Sequence, residues 1–149
     1  MKAYLTRRYK FCASHRLHSP EFSEQENRRM YGKCNNPHGH GHNYKIEVTV
    51  SGEPAAETGM ICNLADLDGF FDREIMPQFQ FSNLNQLNAF RNVVPTTENL
   101  SRELFHLFRD KFRLAKIERI RIEETMMNSF EYTDDGQLRP VPNQEVYDG

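Results

Sequence analysis

From His40 to Val50 the chain reads HGHNYKIEVTV, in which His42, Tyr44, Ile46, Val48 and Val50 alternate with Asn43, Lys45, Glu47 and Thr49. A period of two belongs to a strand with one buried and one wetted face. The run therefore predicts a strand whose even-numbered face carries core residues at one end and two histidines at the other. Upstream, from Lys10 to Leu17, the residues Phe11, Ala13, His15 and Leu17 share one parity and predict a second strand, with His15 on its apolar face.

The intervening segment reads as a polar stretch, Glu21 to Arg29, followed by a glycine- and asparagine-rich loop. After the turn chemistry of SGEPAAETG, Asn63 can cap a helix on which Leu64, Leu67, Phe71 and Ile75 recur at helical spacing, with Pro77 as its stop. A second helix is expected from Thr96 or Thr97, with Glu98 in its first turn and an apolar stripe of Leu100, Leu104, Leu107 and Phe108. A strand from Ile117, with Ile120, Ile122 and Glu124 on one face, and a last strand over 129–133 complete the pattern. Strand, strand, helix, helix, strand, strand describes an α+β domain over 1–133, an antiparallel sheet with two helices on one face, followed by a tail over 134–149.

Bulk properties narrow the partners. At 149 residues the chain is one ordinary domain, and a net charge of -2 offers no basic field for nucleic acid and no polybasic membrane anchor. Its apolar runs fall far short of the roughly 20 residues of a membrane span, and the N-terminus lacks the apolar stretch of a signal peptide. A cytoplasmic protein is expected. Cys12, Cys34 and Cys62 are an odd number in such a chain and read as reduced thiols.

Histidines two apart on a strand project to one face, and three of the six in the chain, His38, His40 and His42, share parity within five positions. Any two of them could act together. With His15 from the neighbouring strand they would supply the three nitrogens that catalytic zinc uses, leaving a position open for water or substrate. The competing reading is a histidine-rich surface loop. His18 and His106 have no such support.

The string GKCNNPHGHGHNYK at 32–45 resembles the 6-pyruvoyl-tetrahydropterin synthase and 6-carboxytetrahydropterin synthase family. FCASHRL at 11–17, TGMICNLADL at 58–67, PTTEN at 95–99 and IRIEET at 120–125 extend the resemblance in the same order. It implies the tunnelling fold, in which ββααββ protomers join their sheets into an oligomeric barrel, a trimer or a hexamer. It implies a lyase that converts 7,8-dihydroneopterin triphosphate with loss of triphosphate. By position, His15, His40 and His42 match the zinc ligands, Cys34 the catalytic cysteine, Glu124 the carboxylate that anchors the pterin, and Thr96, Thr97 and Glu98 the stretch lining its pocket. Lys33 and the metal would lower the pKa of Cys34. Arg16, Arg28, Arg29, Lys33 and Lys45 are candidates for holding the triphosphate.

The chain departs from the family at one place. Where the family carries an Asp-His pair that assists the cysteine, Gln80 and Phe81 stand, and neither can relay a proton. The resemblance therefore leaves open a pterin-forming lyase working through Cys34, with His38 as the spare histidine of its loop. It equally leaves open a zinc- and pterin-binding homologue with an altered reaction or none.

Overall fold

The fold is seen in a computed structural model that describes residues 1–134. Apart from Asp134, the expected tail lies outside the described residues. Strand β1 (Ala3–His15) pairs antiparallel with β2 (His40–Gly52), from Ala3 opposite Gly52 to His15 opposite His40. The buried face is the one expected, with Phe11 and Ala13 on β1 and Tyr44, Ile46, Val48 and Val50 on β2. However, β1 starts well before Lys10. Its earlier half was hidden in the sequence because Arg7 shares the inward parity with Leu5 and Tyr9. Asp68 neutralises that charge, accepting from Arg7 Nε at 3.0 Å and Nη2 at 2.8 Å.

Strands β4 (Lys116–Thr125) and β5 (Asn128–Thr133) continue the sheet, and the two-residue β3 (Ser82–Asn83) lies on the far side of β1. The order is β3-β1-β2-β4-β5. Because β3 runs parallel to β1 at Ala13 and Ser14, the expected all-antiparallel sheet is corrected. It holds for the four long strands. Two register irregularities matter. The one at Thr49 and Val50 lets odd-numbered Ile117 share the buried face with Ile120 and Ile122. The other, between Glu123 and Thr125, takes Glu124 out of the ladder with β5. Bulges of this kind re-aim a side chain at a strand end.

Two helices cover the buried face. The first, α2, runs as α-helix over Leu64–Phe70, widens to π-type turns over Phe71–Ile75 and ends as α-helix over Met76–Phe79. Asn63 caps it by accepting from the Ala65 N–H at 2.9 Å. Pro77 does not end it. The wider turns before Pro77 make room for a ring that would collide with a regular helix, and the chain leaves the helix after Phe79. The second, α3 (Thr97–Lys111), has Thr96 as its cap and buries Leu100, Leu104, Phe105 and Phe108 against β4 and β5. Each of these side chains contributes about 1.5–3 kcal/mol by leaving water.

One helix was not expected. Residues 21–29 lack an apolar stripe, yet α1 (Glu24–Tyr31) forms there. Ser23 accepts from the Glu26 N–H at 3.1 Å, which is half of a capping box. Asn27, fully buried, accepts from the Ser19 N–H at 2.7 Å and donates to the carbonyls of Ser19, Phe22 and Ser23. A polar anchor thus replaces the usual apolar face. The element order is therefore richer than ββααββ, although the two core helices do share one face. No helix among the described residues is long and apolar enough to cross a membrane.

Candidate active site

The last rung of the β1–β2 ladder brings His15 opposite His40, and two residues along β2 His42 faces the same side. Their Nε2 atoms converge: His40 lies 3.2 Å from His15 and 3.2 Å from His42. His38 is exposed and outside this cluster, so the ambiguity among the three loop histidines is resolved in geometry. The ring of His15 is oriented from behind. Its Nδ1–H donates to the Pro95 carbonyl at 2.9 Å, with the Tyr44 hydroxyl at 3.3 Å, which leaves Nε2 bare.

Ligands about 2.0–2.1 Å from a tetrahedral ion sit ~3.3 Å apart, and the two observed spacings from His40, 3.2 Å each, suit a shared cation. A proton on His40 Nε2 can serve only one of its two neighbours, whereas a cation serves all three. Burial also holds His15 and His42 below the usual imidazole pKa, in the neutral form that a metal requires. The donor set therefore fits zinc.

Two further groups border the histidines. The ligand atoms of His15, Cys34 and His40 lie within 4.8 Å of one another, as do those of His15, His42 and Glu124. Glu124 Oε1 is 3.4 Å from His42 Nε2 and 3.8 Å from His15 Nε2, while Oε2 accepts from Asn128 Nδ2 at 3.2 Å. Burial pushes the Cys34 thiol above its ordinary pKa, and the Glu124 carboxylate adds to the effect. That is the reverse of the expected lowering by Lys33.

The other sequence candidates divide. Thr96 spends its hydroxyl on the cap, accepting from the Asn99 N–H at 3.2 Å, and Glu98 is exposed in the first turn of α3. Thr97 is buried, with its hydroxyl close enough to the Tyr44 hydroxyl to act on it. Of the basic candidates, Arg16 Nε donates to the Asn35 carbonyl at 3.3 Å, and Lys45 pairs with Glu123 at 3.6 Å on the outward face of the sheet. Arg28 and Arg29 lie in the last turn of α1, and Lys33 is exposed.

Gln80 and Phe81 do structural work at the sheet edge. Gln80 Oε1 accepts from the Cys12 N–H at 2.8 Å, and the Phe81 N–H donates to the Cys12 carbonyl at 2.6 Å. Phe81 has φ +58° and its side chain is 82% exposed. Sequence reasoning missed Asn35, Asn85 and the Pro95 carbonyl around these groups. A backbone acceptor leaves no trace in a sequence, and the two asparagines resemble ordinary loop residues.

Residues 4–135 match the family described as 6-pyruvoyl tetrahydropterin synthase. The chain is 45% identical over 130 residues to 6-pyruvoyl tetrahydrobiopterin synthase of Poecilia reticulata, covering 87% of this chain and 88% of that one. Against the Homo sapiens protein of that name it is 41% identical over 132 residues, covering 88% and 91%. The fold is similar to the solved 6-pyruvoyl tetrahydropterin synthase of Caenorhabditis elegans, with TM-score 0.85 and 33% identity over 90% of this chain and 96% of that one.

Proposed function

The chain belongs to the 6-pyruvoyl tetrahydropterin synthase family and is an enzyme of it, and from that premise we propose a zinc-dependent lyase that converts 7,8-dihydroneopterin triphosphate with loss of triphosphate. The observation that carries the proposal is the approach of His15 and His42 to His40 at 3.2 Å each, beside a thiol and a carboxylate. His15, His40 and His42 would hold the ion. When bound, zinc supplies Lewis-acid polarisation of the oxygens on the pterin side chain, which acidifies the neighbouring C–H bonds.

The chain's own residues divide the remaining tasks. Glu124 accepts two parallel hydrogen bonds from the N–C–N edge of the pterin, with Thr96, Thr97 and Glu98 lining its pocket. Cys34 takes the proton from the side chain. Burial, and after it the Glu124 charge, raises the pKa of its thiol, which must ionise before it can accept that proton.

Assembly is part of the proposal. The β1 edge from Ala3 to Phe11 and the outer side of β5 carry no strand partner among the described residues, and a homo-oligomeric barrel, trimer or hexamer, would cover both. The setting is cytoplasmic, without nucleic-acid or membrane partners.

A second reading has its own support. Gln80 is engaged with β1 and Phe81 points into solvent without a titratable group, which favours a zinc- and pterin-binding homologue with altered or lost activity. Product analysis of metal-assayed protein with 7,8-dihydroneopterin triphosphate separates the two. The lyase reading expects a 6-pyruvoyl pterin and free triphosphate, reduced about 10²–10⁴-fold by Cys34→Ala. Tight pterin binding without product, or turnover unchanged by Cys34→Ala, would overturn it.

A further inference from the structure

We propose that Asn35 is the positioning residue of Cys34, locking the thiol into the same frame as the metal ligand His15. The inference rests on the reading of Cys34 as the proton-transferring group. Asn35 is 5% exposed although it is polar, and it ends the 3₁₀ helix Gly32–Asn35 that carries Cys34. Its Nδ2 donates to the Leu17 carbonyl at 2.7 Å and to His18 Nδ1 at 3.1 Å, so both carboxamide hydrogens are used. In return the Leu17 N–H donates to the Cys34 carbonyl at 2.7 Å. Leu17 and Cys34–Asn35 are therefore bonded in both directions, two residues beyond His15.

Other contacts hold the same junction. Arg16 Nε reaches the Asn35 carbonyl at 3.3 Å. Asn85 pairs with both backbone groups of Arg16, accepting from its N–H at 2.7 Å and donating to its carbonyl at 2.8 Å. On the other side of the loop, Gly39 has φ +69°, and a Cβ there would lie 2.6 Å from the His15 carbonyl oxygen. The loop carrying Cys34 is thus pressed against the end of β1 at two points, Asn35 and Gly39. Of these, only the Asn35 clamp bonds to the residue next to the thiol. In a site lacking the usual Asp-His pair, correct placement of the one remaining thiol carries more of the rate, because small misplacements of a reacting group lose large factors.

The test uses full-length, zinc-loaded protein in a Cys12→Ser, Cys62→Ser background, where Cys34 is the one remaining thiol. Asn35→Asp keeps the shape but replaces both donors with acceptors facing the Leu17 carbonyl. The expected result is zinc content close to the background protein, a lowered melting temperature because buried hydrogen bonds are lost, kcat lowered at least tenfold, KM within threefold, and the rate of Cys34 alkylation by iodoacetamide changed at least threefold. If kcat and alkylation both stay within twofold of the background, or if kcat falls only together with zinc content, the clamp does not position the thiol. Should Asn35→Asp fail to fold, Asn35→Ser is read by the same criteria. Alkylation does not depend on turnover. A changed alkylation rate alongside full activity of Cys34→Ala would therefore retain the clamp and sink the role of Cys34.

Discussion

Zinc should raise the melting temperature of this protein, and the rise should depend on His15, His40 and His42 but not on His38. His40 Nε2 already stands 3.2 Å from the Nε2 atoms of His15 and His42, a spacing that tetrahedral ligands adopt. Free zinc at 100 times its dissociation constant stabilises by about 2.7 kcal/mol through mass action. For a chain of this size that converts to about 5–11 °C, at about 2–4 °C per kcal/mol. The assay is thermal unfolding of metal-stripped protein across a zinc titration, read as the zinc-dependent shift for each variant, because His15→Ala also disturbs buried packing. Replacing His15, His40 or His42 by alanine should reduce the shift to under about 2 °C. His38→Ala should retain all of it. A full shift in His40→Ala, or an equal loss in His38→Ala, would refute the assignment.

Glu124→Gln should weaken binding of a pterin without phosphates by about 10- to 150-fold in calorimetry, the loss of about 1.5–3 kcal/mol from charge-assisted hydrogen bonds; unchanged affinity would exclude Glu124 as the anchor. At φ +58° the exposed Phe81 occupies left-handed backbone, so Phe81→Gly should be more stable to urea than Phe81→Ala by about 1 kcal/mol, and the opposite order would show that the conformation is unstrained. The Arg7 hydrogen bonds hold the Asp68 carboxyl below its usual pKa, with Tyr9 contributing. Its stabilisation is therefore full above the ordinary carboxylate range and lost as pH falls through the lowered value. Urea unfolding of wild type and Asp68→Asn should differ at pH 7 and converge in strong acid; a gap independent of pH would contradict the sign.

The strands that carry the clustered histidines are legible because burial on one face writes itself as alternation, and His15, His40 and His42 fall in phase with it. What escaped was held by polar contacts. Asn27 anchors α1 through four hydrogen bonds with no apolar stripe to announce it, and Arg7 concealed the first half of β1 until Asp68 was seen beside it. Pro77 was read as a stop because local sterics forbid it in a regular helix, and the π-type turns that accommodate it have no simple pattern. Cys34 was found by motif. The surroundings of its thiol are not legible in the sequence, since Lys33 adjoins it there but is exposed, whereas burial and then the Glu124 charge raise its pKa.

The position of the histidines at the end of the β1–β2 ladder has a consequence for exchange. His15 and His40 form the final pair, with no rung beyond them. Terminal rungs are where a hairpin frays first and where amides trade hydrogen with solvent soonest. Beyond this pair the chain is held by the Asn35 and Asn85 contacts rather than by strand pairing, and an ion held between the strands would add a tie at the ladder's end. Protection of the amides at this end of the ladder would then report site occupancy without any substrate.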